Sequence, residues 1–180
     1  MPKLMEFLAT HKEAVLDQWL ALVLETYAPE TATLWKKKKD PFANPVRRKL
    51  ESGMRGVVEG LLAAQGAPDV AVFGPYLDEM VRVRAVQDFT PSQAVSFIYL
   101  LKKVMRETLW PHVAEHGLLV ELLALESAID VLALFCLDIY CQCRESIYQL
   151  RVSQVKRQYD RLLKRANLVC DFSPEDGEEP

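Results

Sequence analysis

The segment VRVRAVQDFTPSQAV, residues 81–95, decides whether the fold is purely helical or contains a sheet. Val81 and Val83 alternate with arginines, which is the period of a half-buried strand. A longer stretch of sequence favours a helix, because its apolar positions recur at intervals of three and four residues. The helical stripe consists of Leu77, Met80, Val81 and Arg84. We therefore predict a helix through residue 86, with Asp78 and Arg82 paired on its surface.

The residues that follow predict a corner and a new helix. Thr90 can cap a helix, Pro91 suits its first position, and Gln93 completes a capping box. Thr10 and Glu13 have the same capping-box spacing. Together with the apolar periodicity, these signals predict helices over about 10–27, 45–65, 75–87 and from 91 to the region of Pro111 and Gly117, with a short helix after Pro29.

Residues 118–167 contain no glycine or proline and predict a long helix with two different halves. Residues 118–140 are apolar nearly all round, which predicts a core helix. The second half is charged, with one narrow apolar seam at the heptad spacing of a coiled coil. The seam consists of Tyr148, Val152, Val155, Tyr159, Leu162, Ala166 and Val169. A coiled-coil-like extension and a single amphipathic helix packed on its own domain both fit this pattern.

Composition and charge exclude several classes of protein. Half of the 180 residues are hydrophobic, enough for one all-α domain, either globin-like or bundle-like, with a long C-terminal helix. The net charge of −3 argues against a nucleic-acid-coating protein. The longest apolar stretch carries Glu121, Glu126 and Asp130, so we expect no membrane span. The first residues lack a signal-peptide core, which predicts a cytoplasmic protein.

Candidate catalytic and metal-ligating residues are few. His112 and His116 stand four residues apart near a helix end, but no third ligand and no HExxH motif accompany them. We therefore expect no metal, no cofactor and no enzymatic activity. Cys136, Cys141 and Cys143 lie on one predicted helix, where buried structural thiols and redox-active thiols are the two alternatives.

Two irregular links carry a family resemblance. DPFANPV at 40–46 and VRVRAVQDFTPSQAVSFIYLLKKVMRE at 81–107 resemble signature segments of the RsbRD N-terminal domain family, named for RsbT co-antagonist proteins of bacterial stress signalling. The resemblance covers about residues 10–150. It implies a sensory input module, similar to the dimeric, haem-free, globin-fold domains that precede a STAS output domain in stressosomes. The acidic sequence DFSPEDGEEP resembles no output domain, so we expect a standalone module.

The chain accordingly divides into a helical sensory domain at 1–150, a coiled-coil-like helix at 151–169 and an acidic disordered tail at 170–180. We expect the two links to fix interhelical turns through Asp40, Phe42, Asn44, Pro45, Asp88, Phe89, Thr90 and Pro91. The alternative role for this region is a ligand pocket lined by Arg84 and Gln87.

Two classes of function follow. In the first, the chain is a non-catalytic regulatory module that forms a homodimer through the seam, parallel or antiparallel, and acts on a protein partner. In the second, it is a redox or cofactor-binding accessory protein that uses its thiols or a small-molecule pocket. The sequence names neither the signal nor the output partner.

Overall fold

The computed structural model describes residues 3–27, 45–64, 68–87 and 89–166, which form six α-helices and contain no strand. In chain order the helices are α1 Lys3–Thr10, α2 Lys12–Glu25, α3 Pro45–Ala64, α4 Val70–Val86, α5 Pro91–His116 and α6 Leu119–Arg165. Residues 81–86 lie inside α4, so the helix predicted for the opening segment is confirmed. The chain is an all-α domain with a long C-terminal helix, as predicted.

Several predicted features lie outside the described residues. They are the short helix after Pro29, the link residues Asp40, Phe42, Asn44 and Asp88, the seam residue Val169, Cys170, the acidic segment 170–180 and the side chain of Pro45. These assignments remain predictions.

The capping box predicted at Thr10 is wrong. Thr10 is the last residue of α1, and its Oγ1 donates a hydrogen bond of 2.7 Å to the Phe7 carbonyl. His11 precedes α2 and makes no side-chain capping bond. The prediction failed because a two-turn helix ends at Thr10, and Leu4 and Leu8 anchor that helix in the core with no exposed surface.

The start predicted for α4 at Pro75 is also wrong. The helix begins at Val70, where the Asp69 side chain accepts a hydrogen bond of 2.9 Å from the Ala71 backbone N–H. Pro75 therefore lies inside the helix. A proline disfavours helical conformation in the preceding residue partly through that residue's Cβ, and Gly74 has none. The Asp78–Arg82 pair is confirmed, with Arg82 Nε 2.6 Å from the carboxylate.

Helices α3 and α4 pack closely because α3 presents glycines to its neighbour. A Cβ added at Gly53 would lie 2.8 Å from Met80 Cγ, and one added at Gly60 would lie 2.7 Å from Phe73 Cε1. The opposite side of the core is fixed by α2, where the fully buried Trp19 donates a 2.7 Å hydrogen bond to the Phe97 carbonyl in α5.

Helix α5 begins as predicted and ends at the predicted glycine. The reciprocal capping box between Thr90 and Gln93 is present, with Pro91 at the first helical position. Pro111 does not end the helix, which continues to His116. Gly117 terminates it with φ of 67°, a left-handed conformation that glycine adopts without a Cβ penalty.

Two ion-pair groups connect α5 to α6. The guanidinium of Arg106 donates to both oxygens of Glu126 at 2.6 and 2.7 Å, and Lys102 Nζ lies 2.8 Å from Asp130. The sequence pattern did not predict this network, because Lys102 and Arg106 fall outside the apolar stripe of α5. The hydrogen bonds from Arg106 lower the pKa of the Glu126 carboxyl.

Helix α6 contains two parts that differ in burial, as predicted. Eleven side chains between Leu122 and Cys143 are buried, whereas none is buried from residue 144 to residue 166. Residues up to 143 and from 144 onward form separate compact units. The prediction that residues 118–140 are core on all sides is wrong, since Val120 is 76% and Leu134 is 65% exposed. Only one face of this part is buried.

Candidate functional site

The most unusual group in the helical core is the guanidinium of Arg84, near the end of α4. This side chain has no exposed surface. One of its terminal nitrogens, Nη2, donates hydrogen bonds of 2.9 Å to Thr26 Oγ1 and 3.0 Å to the Gln93 carbonyl. Its Nε is buried and has no hydrogen-bond partner. Arg84 therefore joins the end of α2, the end of α4 and the first turn of α5.

Three aromatic rings surround the same guanidinium. Arg84 Cζ lies 4.6 Å from the ring centroid of Phe89, 5.1 Å from that of Tyr27 and 5.7 Å from that of Phe97. Tyr27 and Phe89 also contact each other edge to face, with centroids 5.2 Å apart. These rings provide cation–π attraction where no described carboxylate contacts the guanidinium. We call Arg84, Thr26, Tyr27, Phe89, Gln93 and Phe97 the arginine corner.

Burial changes the acid–base properties of two members of the arginine corner. Loss of hydration lowers the pKa of the Arg84 guanidinium, since the charged form is the one that water stabilises. Burial raises the pKa of the Tyr27 hydroxyl, because the phenolate would be the poorly hydrated species. Both effects favour neutral forms, yet arginine remains protonated at neutral pH in proteins. The corner thus holds a buried cation without a neighbouring anion among the described residues.

A hydrogen bond connects the arginine corner to α6. The hydroxyl of Tyr140, a residue with 5% exposure, donates to the Phe89 carbonyl at 2.7 Å. Phe89 therefore contacts Arg84 through its ring and α6 through its backbone. Sequence reasoning identified Arg84 and Phe89 but missed Thr26, Tyr27, Phe97 and Tyr140, because these residues are distant in sequence and belong to no local turn signal.

The residues predicted to line a ligand pocket lie in different environments. Arg84 is buried, whereas Gln87 is exposed at the C-terminal cap of α4. Two clefts within the described residues are lined by other side chains. One, of about 380 Å³ between α2 and α3, includes Glu13, Asp17, Arg47, Arg48 and Arg55. The other, of about 350 Å³, is lined by Gly74, Pro75, Asp78, Phe135, Ile139 and Gln142.

The six described residues of the predicted seam are all exposed, and five of them lie on the second part of α6. Tyr148 is 54% exposed, Val155 is 48% and Leu162 is 60%, and the other described seam residues are Val152, Tyr159 and Ala166. Arg144 Cζ lies 5.2 Å from the centroid of the Tyr148 ring. No described side chain from another helix covers this stripe. It is an apolar surface that water contacts in the single chain.

The three described cysteines have unequal access to solvent. Cys136 and Cys143 are buried, and Cys141 is exposed. Burial raises the pKa of the Cys136 thiol to about 12, which disfavours the reactive thiolate at neutral pH. Among the described thiols, Cys141 is therefore the one that a reagent in solution can reach.

All three histidines of the chain meet in one stack of rings. The Phe7 ring lies between His11, at a centroid distance of 4.0 Å, and His112, at 4.2 Å. His116 continues the stack 4.2 Å from His112. His112 Nε2 is buried and has no hydrogen-bond partner. Within the described ranges, no three metal-ligating side chains come together. Through this stack α1 packs against α5, a contact that the sequence did not predict.

The chain is thus a helical domain with a buried arginine-centred corner, and its long terminal helix carries an exposed apolar stripe. A family model described as "RsbT co-antagonist protein rsbRD N-terminal domain" matches residues 13–155. The chain belongs to this family, and the resemblance of the two link segments is confirmed. No curated protein and no solved structure matches the chain. The globin-like alternative for the fold thus remains a prediction. No helix in the described part of the chain is long and apolar enough to cross a membrane.

Proposed function

We propose that the chain is a non-catalytic signalling module of the stressosome type, which forms a homodimer along the seam of α6 and acts on a protein partner. Membership of the RsbRD N-terminal domain family supports the signalling role. The helical core with its arginine corner serves as the input part, and the exposed part of α6 serves as the output surface. A cytoplasmic location belongs to the same proposal.

The observation that carries this proposal is the exposed seam. Its six described members are spaced alternately by four and three residues, as in a coiled coil, and none of them is buried. Monomeric proteins rarely leave so continuous an apolar stripe in water. A second copy of the same helix offers an identical stripe, so pairing covers both surfaces at once.

Covering the seam side chains would favour a dimer. Fully burying a valine or leucine side chain stabilises by about 1.5 to 3 kcal/mol. Val155 and Leu162 are 48% and 60% exposed, so covering the remainder is worth about 1 kcal/mol for each side chain. Two residues on two copies supply about 4 kcal/mol, or about a thousandfold in the dissociation constant.

The charges beside the seam bear on its orientation. Arg151 and Lys156 flank the stripe, and two parallel helices would place these cations near their counterparts. An antiparallel arrangement separates them. Both arrangements bury the same apolar side chains, so the proposal does not depend on this choice.

Sedimentation equilibrium tests the proposal with a variant that carries Val155→Glu and Leu162→Glu. We expect the wild type to be dimeric at tens of micromolar and the variant to be monomeric, because each glutamate would lose hydration in the seam. The control carries Ser153→Glu and Gln154→Glu, which add the same charge outside the seam and should leave the dimer intact. A monomeric wild type would refute self-association, and a dimeric seam variant would place the interface elsewhere.

A further inference from the structure

The exposed part of α6 is basic, whereas the sequence that follows it is acidic. Residues 144–166 contain seven basic and two acidic side chains, whereas residues 171–179 contain five acidic side chains and no basic one. Six of the cations, Arg151, Lys156, Arg157, Arg161, Lys164 and Arg165, are exposed. Among the residues that the structure describes, none of these six has an acidic side chain within ion-pair distance.

Three of these cations form a stripe on one face of the helix. Arg157, Arg161 and Lys164 are separated by four and three residues, and a helix turns about 100° per residue, so they project from the same side. The same rotation places them about 180° from Val155 and Tyr159 in the seam. We call these three residues the basic stripe. A partner that covers the seam leaves the basic stripe accessible.

We propose that the acidic segment 171–179 binds the basic stripe of its own chain and thereby competes with any other polyanion for that surface. Charge complementarity is the first argument, since the acidic side chains are Asp171, Glu175, Asp176, Glu178 and Glu179. The segment starts five residues after Ala166, so the chain itself holds it near the stripe at a high effective concentration.

The length of the connection permits this contact. An extended chain spans about 3.3 Å per residue, so Glu175 can lie up to ~30 Å from Ala166. Arg157 lies nine residues before Ala166, which is about 14 Å along the helix axis. The acidic side chains can therefore reach every member of the basic stripe. A polyanion from solution lacks this advantage, and the net charge of −3 gives it no long-range attraction to the whole chain.

Each individual ion pair on such a surface is weak, so the contact depends on several pairs forming together. Salt screens exposed charges over a Debye length of about 8 Å at physiological ionic strength, and the contact should weaken as salt is added. The binding surface is the side of α6 opposite the seam, so the inference does not require the chain to be a dimer.

The first part of the test uses heparin as a polyanion probe on the full chain. One variant neutralises the acidic segment with Asp171→Asn, Glu175→Gln, Asp176→Asn, Glu178→Gln and Glu179→Gln. A control variant has the same net charge but neutralises exposed acids elsewhere, at Glu6, Asp17, Glu107, Glu115 and Asp138. We expect the segment variant to bind heparin more tightly than the control. The slope of the logarithm of its binding constant against the logarithm of the salt concentration should be steeper by about one for each cation of the stripe that is released.

The second part of the test detects the contact itself. A carbodiimide joins a lysine amine to a carboxylate only where the two groups touch, and mass spectrometry identifies the linked peptides. We expect Lys164 to be linked to residues 171–179 within one chain, as judged from a mixture of isotope-labelled and unlabelled protein. Equal heparin binding by the two variants would overturn the proposal. So would Lys164 links that are absent or that occur only between different chains.

Discussion

Replacing Arg84 tests whether a buried cation, with no carboxylate beside it among the described residues, stabilises the domain by its geometry rather than by its charge. We compare Arg84→Lys, which keeps the charge, with Arg84→Met, which removes it at a similar length. The lysine is the conservative substitution by charge. The surroundings of Arg84 predict that it is nevertheless the more damaging one.

The estimate begins with what each variant loses. Arg84 donates to Thr26 Oγ1 and to the Gln93 carbonyl, and hydrogen bonds to charged groups contribute about 1.5 to 3 kcal/mol each. Methionine loses both, but it also removes the cost of burying an ion, which is several kcal/mol. Neither acceptor is left isolated, because Gln93 O also accepts from Ser96 Oγ, and Thr26 Oγ1 also donates to Val23 O. We expect a loss of about 1 to 2 kcal/mol for methionine.

Lysine retains the cost of dehydration without the compensating contacts. Its compact ammonium is more strongly hydrated than a guanidinium, and it lacks the planar fork that stacks on the rings of Phe89 and Tyr27. It can replace only part of the hydrogen bonding. We therefore expect Arg84→Lys to lower the free energy of unfolding by about 3 kcal/mol or more, about twice the loss for methionine.

Equilibrium unfolding in urea at pH 7, at one protein concentration and followed by circular dichroism, measures this difference. The matched control is Arg82, two residues earlier on α4, which is exposed and paired with Asp78. Both substitutions there should change the free energy of unfolding by less than about 1 kcal/mol. If Arg84→Lys is as stable as Arg84→Met, the reasoning about the arginine corner is refuted.

Two further predictions concern packing and pH. Gly60→Ala should destabilise the domain by about 1 to 3 kcal/mol in the same urea assay, because the new Cβ would meet the buried Phe73 ring. The control, Ser52→Ala on the exposed face of α3, should stay within about 0.5 kcal/mol of wild type. A Gly60→Ala variant as stable as wild type would contradict the close packing of α3 and α4. The folded-state pKa of Glu126 lies below its unfolded value, so its ionised form contributes stability above that unfolded value, and this stability is lost as the pH falls through the folded pKa. Glu126→Gln should therefore be less stable than wild type at pH 6, and the difference should shrink toward pH 3; a difference that is independent of pH would contradict the role of the Arg106–Glu126 pair.

Local signals in the sequence predicted the parts of the fold that neighbouring residues determine. The corner at Thr90, Pro91 and Gln93 was predicted correctly because a capping box is complete within four residues. The helix through Val81 was predicted because a stripe of spacing three and four outweighs a short alternation. Thr10 shows the limit of such signals. The burial of Leu4 and Leu8 stabilises α1 up to that residue, so Thr10 ends a helix and is not the N-cap of one.

The arginine corner and the histidine stack could not be predicted in the same way. Arg84 lies 58 residues from Thr26 and 57 from Tyr27 in the chain, and the packing of both α2 and α4 against α5 brings them together. The ring stack likewise joins Phe7 to His112 across two helices. The seam was predicted from periodicity alone, and its six described members are exposed. Its pairing with a second copy stays a prediction. The same reasoning failed for residues 118–140, where composition cannot show that Val120 and Leu134 face water.

The protection of a thiol in the seam tests the central claim most directly, namely that a second copy covers this surface. Val155→Cys is introduced into a chain in which Cys141 and Cys170 are serine, and its alkylation rate is measured from nanomolar to tens of micromolar protein. A cysteine at Gln154, which lies about 100° from Val155 around the helix and outside the seam, is the control. We predict that Cys at position 155 becomes protected as concentration rises while the control stays reactive. Equal reactivity of both thiols at every concentration would contradict pairing along the seam.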